Sequence, residues 1–180
     1  MAEYFTRAVV LNRTHKKESD ANLVLYTRDF GKISASAKGL LNIHSKLAGH
    51  LDVGDIVDVR LTKKENFQVL DALAQKLEVS REIMQFLDFI ESMTPYHNPD
   101  LRLWHAIEFV LTNRLLCSSG IPPQKVYRRF LEILGLGPKF AKCADCGKAQ
   151  VVYFSATDIM FLCSDAPGKF SINAEKLVKI

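Results

Sequence analysis

Gly31-Lys-Ile-Ser-Ala-Ser-Ala-Lys38 alternates small apolar residues with polar ones, and this stretch decides how the N-terminal part of the chain folds. Successive side chains of a β-strand point to opposite faces, so Ile33, Ala35 and Ala37 would share one face. The stretch therefore predicts a β-strand with that face in a core and the serines towards solvent.

Four other stretches before residue 77 are rich in β-branched, aromatic or alternating apolar residues. They cover residues 4–11, 22–27, 55–61 and 67–71. Between the third and fourth strands we expect one or two helical turns, over residues 43–51. Five short strands with a small helix after the third match the five-stranded barrel called the OB-fold. An SH3-like barrel is the alternative that this periodicity leaves open.

The period of the apolar residues changes to 3.6 after residue 77, which predicts helices. The first begins after Ser80, a suitable cap, and continues past Ile90. The second covers residues 99–117, with Cys117 as a buried small hydrophobe. The third follows Pro122-Pro123 and ends at Gly135.

The C-terminal part predicts a hairpin, with strands over 151–154 and 159–162, and a helical pattern that starts at Ile172. We therefore expect an α+β, multi-domain protein. An N-terminal five-stranded OB-fold β-barrel over residues 1–76 would be followed by a helical domain over 77–180. That domain would carry a small zinc-finger-like β-hairpin, inserted at residues 140–168.

Charge is distributed unevenly along the chain. The formal net charge is +4 in residues 1–50, −5 in 51–100 and +5 in 101–180, which suits separate binding surfaces. No apolar run approaches the ~18 residues of a membrane span, and the N-terminus lacks the pattern of a secretory signal. We therefore expect a cytoplasmic protein with no membrane partner, whose cysteines are reduced or metal-bound.

Basic residues lie where an OB-fold binds nucleic acid. Oligonucleotides bind such barrels across strands 2 and 3 and at the loops that join strands 1–2 and 4–5. Aromatic side chains for base stacking would be Phe67, Tyr26 or Phe30. The candidate DNA-binding residues are Arg13, Lys16, Lys17, Lys32, Lys38, Lys46, Lys63 and Lys64.

The segment Cys143-Ala-Asp-Cys146-Gly147 has the form of half a zinc site. Downstream, Cys163 is the one further cysteine, and Ala166 stands where its partner belongs. Structural zinc is almost always four-coordinate, so we expect a degenerate three-cysteine site, with Asp165 or water completing the shell. A redox dithiol is the alternative, although neither a βαβ setting nor a helix N-terminus is visible in the sequence.

No catalytic constellation stands out elsewhere, because the five histidines are scattered without a nucleophile or metal-ligand spacing. Gly-rich phosphate loops are absent as well. We therefore expect a binding protein and not an enzyme.

Three segments together resemble the RecO family of bacterial recombination mediators. They are Gly31–Gly39 with Ser45-Lys-Leu-Ala-Gly49, Arg128–Pro138, and Cys143–Gly147. The resemblance covers roughly residues 1–170, and the order and spacing of the segments make it fairly specific. It implies a nucleoid-associated DNA repair and recombination protein that binds single- and double-stranded DNA and anneals complementary strands. Such proteins work with RecR and the single-strand-binding protein SSB to load RecA.

Two features depart from the family pattern. Arginines often follow the family's Lys-Gly segment, whereas Leu40, Leu41 and Asn42 stand here, and the family chain usually continues for several more helices. The first departure motivates an alternative function, an adaptor that docks SSB or RecR without strong DNA binding. On the third helix, the resemblance and the pattern of charges predict a docking site for the acidic C-terminal tail of SSB. Its residues would be Arg128, Arg129, Phe130 and Leu134.

Overall fold

The computed structural model of the protein describes residues 2–16, 19–42, 44–116, 121–166 and 177–180. Lys17, Cys117 and Ile172 lie outside these ranges. The described chain combines a five-stranded N-terminal sheet with three helices and a small C-terminal sheet, as expected of an α+β protein. It divides into two compact units, residues 1–108 and 109–180. The expected boundary after residue 76 stays a prediction.

The first unit contains the five predicted strands. They are β1 (Glu3–His15), β2 (Ala21–Thr27), β3 (Gly31–Ala37), β4 (Ile56–Lys63) and β5 (Phe67–Gln75). The strands close into a barrel in the order β1-β2-β3-β5-β4. β4 pairs antiparallel with β1, and a short parallel pairing of β3 with β5 completes the closure. This order is that of the OB-fold and not of the SH3-like alternative.

The β3 strand follows the predicted alternation, because Ile33, Ala35 and Ala37 are buried while Ser34 is exposed. The connection from β3 to β4 differs from the prediction. Its described residues form successive turns and no helix, with the N–H of Ala48 donating to the Ser45 carbonyl at 3.1 Å. Bonds of this i to i+3 type close single turns but do not propagate into an α-helix.

All three predicted helices are present: α1 (Arg81–Met93), α2 (Leu101–Thr112) and α3 (Pro123–Ile133). The Ser80 hydroxyl caps α1 by accepting the N–H of Ile83 at 3.4 Å. Gly135, which follows the C-cap Leu134 of α3, has a φ of 79°, and the Leu136 N–H donates back to the Leu131 carbonyl at 2.7 Å. This is the Schellman ending that glycine favours.

The second unit contains a three-stranded sheet in the order β7-β6-β8. Its strands are β6 (Tyr153–Ser155), β7 (Met160–Leu162) and β8 (Leu177–Lys179). The predicted hairpin is therefore confirmed. The helical prediction for the C-terminus is wrong for residues 177–179, because the open edge of β6 pairs with them and tertiary pairing overrides a weak local pattern. None of the described helices is long and apolar enough to span a membrane.

Candidate nucleic-acid interface and thiol cluster

One end of the barrel gathers three chain segments that sequence analysis assigned to DNA binding. His15 pairs with Ala21, and Ala21 pairs with Ala37, so the β1–β2 loop lies beside the end of β3. Phe67, the first residue of β5, pairs both with Lys63 and with Ala35 of β3. The β4–β5 turn therefore lies at the same end. We call this surface, defined by Lys16, Lys38, Lys63 and Lys64, the basic end of the barrel.

All four lysines of the basic end are exposed, and within the described residues none of them forms an ion pair. Backbone bonds order the loops that carry them. The Asp20 carboxylate accepts the Gly39 N–H at 2.9 Å, and the Leu41 N–H donates to the Ser19 carbonyl at 3.0 Å. Within the described residues, the basic end therefore presents positive charge that no ion pair compensates, and hydrogen bonds join the end of β3 to the residues before β2.

Lys32 does not belong to this surface, contrary to the prediction. It lies near the opposite end of β3, six residues from Lys38, or about 20 Å along an extended strand. Its side chain is buried, and its ammonium group donates to the Glu91 carbonyl at 2.6 Å over the ring of Tyr96. Burial lowers the pKa of Lys32 against the opposing effect of Glu91. The residue therefore fastens the last turn of α1 and the chain just after it to the barrel.

The other residues predicted to contact DNA differ in whether their positive charge is available to a phosphate. Arg13 forms an ion pair with Asp52 at 2.7 Å, so its charge is already compensated. Lys46 is exposed in the turns between β3 and β4. Lys17 lies outside the described residues.

The aromatic side chains expected to stack on bases belong to the core instead. Phe67 and Tyr26 are buried. Phe30 is half-buried, and its ring packs against those of Tyr4 and Phe67 with centroids 5.4 Å away in each case. A ring that fills the barrel interior cannot also accept a base, so the expectation of a stacking platform from these three residues is wrong.

The α3 helix presents its arginines but not its apolar face. Phe130 is 1% exposed and Leu134 is half-buried, so Phe130 is not the exposed anchor that we expected. Arg129 pairs with Glu132 at 3.1 Å on the surface. Arg128 is exposed and borders a cavity of about 460 Å³ that Lys139 also lines.

Lys139 is the residue that sequence analysis missed at this cavity. It follows Pro138 in a short 3₁₀ turn (Pro138–Phe140), and its ammonium lies 5.4 Å from the centroid of the exposed Phe140 ring. Only the folded backbone brings this turn next to α3, so no local signal in the sequence identified it. Glu132 also lines this cavity, and because Arg128 and Lys139 outnumber its single carboxylate we call the cavity the cationic cleft.

The three predicted zinc ligands come together in the second unit. The sulfur atoms of Cys143, Cys146 and Cys163 all lie within 4.8 Å of one another, and those of Cys146 and Cys163 are 3.6 Å apart. Cys143 and Cys163 are buried, whereas Cys146 is exposed. We call these residues the thiol cluster.

Backbone N–H groups favour negative charge on Cys143 of the thiol cluster. Burial raises the pKa of the Cys143 thiol, but hydrogen bonds from the backbone at Cys146, Cys163 and Asp145 outweigh it and lower that pKa to about 6. A lowered pKa favours the thiolate, which is the form that binds metal. The donor set therefore fits three of the four positions around a zinc ion.

Ala166 occupies the place where a fourth cysteine ligand would lie. Its methyl group is buried against the thiol cluster, and its N–H donates to the Cys163 carbonyl at 3.4 Å. Asp165 instead forms an ion pair with Lys148 at 3.0 Å. A metal ion held here would have three thiolates and one position without a protein thiolate.

Known proteins similar to this chain are bacterial DNA repair proteins. Residues 1–75 match the family model described as recombination protein O N terminal. The DNA repair protein RecO of Desulforudis audaxviator is 28% identical over 162 residues, which cover 84% of this chain and 65% of that protein. The RecO of Pelodictyon phaeoclathratiforme is 27% identical over 158 residues, which cover 79% and 60%.

A third relative, the RecO of Dehalococcoides mccartyi, is 24% identical over 201 residues, which cover 98% of this chain and 77% of that protein. The chain spans less than two thirds of the length of the first two relatives. The matched N-terminal segment coincides with the closed barrel. The resemblance to the RecO family is therefore confirmed: residues 1–75 match the family model of the RecO N-terminal domain, and most of the chain is similar to DNA repair proteins RecO.

Proposed function

We propose that this chain works in DNA repair and recombination, where its barrel binds single- and double-stranded DNA through the basic end. In this role it anneals complementary strands and, with RecR, helps to load RecA onto SSB-coated DNA. The observation that carries the proposal is the basic end itself, where four exposed lysines have no ion pair among the described residues and lie at the place where OB-folds bind oligonucleotides. The names of the similar proteins support the same role.

The structure favours binding to the phosphate backbone over reading of bases. Lysine ammonium groups contact phosphates as point charges, and of the aromatic residues expected to stack, Tyr26 and Phe67 are buried and Phe30 is half-buried against the core. Binding should therefore depend weakly on sequence and strongly on salt. If the four lysines each neutralise one phosphate, log K for single-stranded DNA should fall with log salt at a slope of about −3.

A fluorescent single strand titrated at several salt concentrations measures this slope. A slope near zero would contradict the proposal, because no phosphate would then be neutralised. The same series with a duplex should give a slope closer to about −3.6, since each contact with B-DNA releases more counterion.

An adaptor without strong DNA binding is the second candidate, and the absence of arginines at residues 40–42 motivates it. Leu40 is 2% exposed and packs in the barrel core. The guanidinium group of an arginine at this position would therefore lose its hydration. Asn42 is exposed but neutral. A chain of this kind would bind SSB or RecR and show no salt-dependent DNA affinity.

The cationic cleft is the proposed docking site for the acidic C-terminal tail of SSB. Arg128 offers paired N–H donors to a carboxylate, and Lys139 adds a second positive charge at the same cavity. Arg129 is the weaker candidate because Glu132 already binds it. Phe130 supports the helix from the core, and Leu134 remains at the half-buried edge.

Arg128→Ala should weaken binding of a synthetic tail peptide by ~1.5–3 kcal/mol, the scale of hydrogen bonds to charged groups. Arg129→Ala is the matched control on the same helix and should change the affinity by less than ~1 kcal/mol, because its exposed pair contributes little. Calorimetric titration of both variants decides the matter. Equal losses in the two variants would remove the assignment to the cleft.

The thiol cluster is proposed to hold zinc in a structural role. Zinc bound by Cys143, Cys146 and Cys163 would cross-link the turn before the hairpin to the end of β7. With three thiolates and no fourth, the site should hold the metal more weakly than a four-cysteine site. Nothing in this arrangement requires the metal to take part in DNA binding.

A further inference from the structure

The outer face of the barrel carries a surface that DNA binding does not use. We call it the β1–β4–β5 face, after the three neighbouring strands that form it. It consists of Phe5, Arg7, Asp58, Arg60, Asp71 and Leu73, which together line an open trough of about 840 Å³. Arg28 and Asp29 of the β2–β3 turn also border this trough.

The register of the strands sets these six residues in two rows. Phe5 pairs with Arg60, and Arg60 pairs with Asp71, which gives the row Phe–Arg–Asp across β1, β4 and β5. Two residues along the strands, Arg7 pairs with Asp58 and Asp58 with Leu73. The second row is therefore Arg–Asp–Leu. A rotation by half a turn within the face exchanges the two apolar corners and replaces each charge by its opposite.

The two apolar corners are unusually open to solvent. Phe5 is 74% exposed and Leu73 is 67% exposed, although both lie within regular strands of a closed barrel. Large side chains in such positions mark contact surfaces more often when charged residues surround them. The corners therefore suggest a protein partner.

The charges of the face narrow the kind of partner. Its two arginines and two aspartates cancel, so the face does not attract a polyanion such as DNA. Within the described residues Asp58 and Asp71 form no ion pair. Arg60 has a long contact with Glu3, at 3.6 Å, and Arg7 is bound by Glu108 at 3.1 Å. Two carboxylates thus remain to be matched by cations from outside.

We propose that the occupant of this face is a second copy of the same chain, in a two-fold symmetric contact. The two-fold axis would lie in the plane of the face, perpendicular to the line from Phe5 to Leu73. Phe5 of each copy then packs against Leu73 of the other copy. Neighbouring strands are about 4.8 Å apart, and alternate residues of one strand are about 6.8 Å apart. Measured in the plane of the face, each Arg60 position then lies within about 3 Å of the Asp71 position of the other copy. Each Arg7 comes equally close to the Asp58 position of the other copy.

This arrangement is self-complementary in every one of its six positions. Other in-plane axes give poorer charge complementarity. An axis along the strands, for example, places Arg60 of one copy against Arg60 of the other. The open trough leaves room for the long arginine side chains of the facing copy. Six residues on each side make a small contact, so the dimer should be weak and concentration-dependent, as expected of interfaces below about 1,200 Å².

Exchanging charges across the proposed contact tests it directly. Arg60→Asp alone would set two aspartates against each other, and Asp71→Arg alone would set two arginines against each other. Each single variant should therefore dimerise at least tenfold more weakly than the unmodified chain in sedimentation equilibrium. An equimolar mixture of the two variants should recover association, because the new aspartate of one variant then faces the new arginine of the other.

Two controls separate loss of the contact from loss of the fold and from a general effect of charge. Circular dichroism and thermal melting show whether each variant is folded, and Arg102→Asp, an exposed change of the same size outside the face, should leave dimerisation unaltered. The measurement contains no DNA, so failure of the proposed DNA binding would not affect it. An unmodified chain that stays monomeric up to about 1 mM would overturn the proposal, as would single variants that dimerise normally or a mixture that fails to recover.

Discussion

Gly31→Ala should destabilise the first unit by at least about 3 kcal/mol, more than most single substitutions. Gly31 has a φ of 65°, a conformation that costs any residue with a Cβ roughly 1–2 kcal/mol. A methyl group would also overlap the Asn98 carbonyl oxygen and lie 2.8 Å from the Pro99 nitrogen. Both neighbours are backbone atoms, so relief of the clash requires the segment after α1 to move away from the barrel.

Gly49→Ala provides the matched control. Gly49 has a φ of 81°, but a methyl group there meets no atom within 4 Å. The control should therefore cost only the conformational part, about 1–2 kcal/mol. Trp104, the one tryptophan of the chain, is buried in the first unit, so its fluorescence during urea unfolding reports on that unit. Equal losses of stability in the two variants would show that the close approach at Gly31 is absent.

Ala166→Cys should tighten zinc binding by about 100-fold. Zinc-finger peptides with four ligands bind the metal with about 10–16 kcal/mol, so one added thiolate contributes roughly a quarter of that energy at most. Ala166 is buried against the thiol cluster, and a cysteine there is only slightly larger. The new thiolate would complete the tetrahedral set that structural zinc prefers.

Competition with a coloured chelator measures this change in zinc affinity. Ala156→Cys is a suitable control, because it adds a thiol just after β6, at the turn end of the hairpin, opposite the end that leads to Cys163. That control should leave zinc affinity unchanged. Chelator-resistant zinc at one equivalent in the unmodified chain would contradict the prediction, since it would require a fourth ligand that we have not identified.

The sequence allowed the barrel and the thiol cluster to be predicted because both have local signatures. The alternation of Ile33, Ala35 and Ala37 follows from strand geometry alone, and a Cys-x-x-Cys-Gly turn determines its own backbone shape. The loops of the basic end were also predictable, because strand order fixes which loops meet. The strand alternation and the Cys-x-x-Cys turn depend on residues that are close together in the chain, whereas Cys163 and the loops of the basic end were placed through the expected hairpin and barrel.

The features that sequence analysis missed depend on distant segments. Lys32 is buried because the chain near Glu91 and Tyr96 packs on the start of β3, and nothing near Lys32 in the sequence indicates that contact. Phe67 becomes a core residue through its neighbours Tyr4 and Phe30. The same holds for β8, which becomes a strand only by pairing with β6.

The proposed DNA binding depends most on contact between the basic end and the phosphate backbone. A variant with Lys16, Lys38, Lys63 and Lys64 all replaced by alanine tests it against a second variant that loses the same charge elsewhere. The second variant replaces four exposed lysines of the other unit: Lys125, Lys139, Lys142 and Lys179. Equal net charge in the two variants separates a local contact from a general electrostatic attraction.

Single-strand binding measured over a salt series gives the slope of log K against log salt for each protein. We expect a slope of about −3 for the unmodified chain and nearly the same slope for the control variant. For the basic-end variant the magnitude of the slope should fall by about 2.8. If the two variants lose the same affinity and the same slope, or if the basic-end variant keeps the full slope, the basic end does not bind DNA.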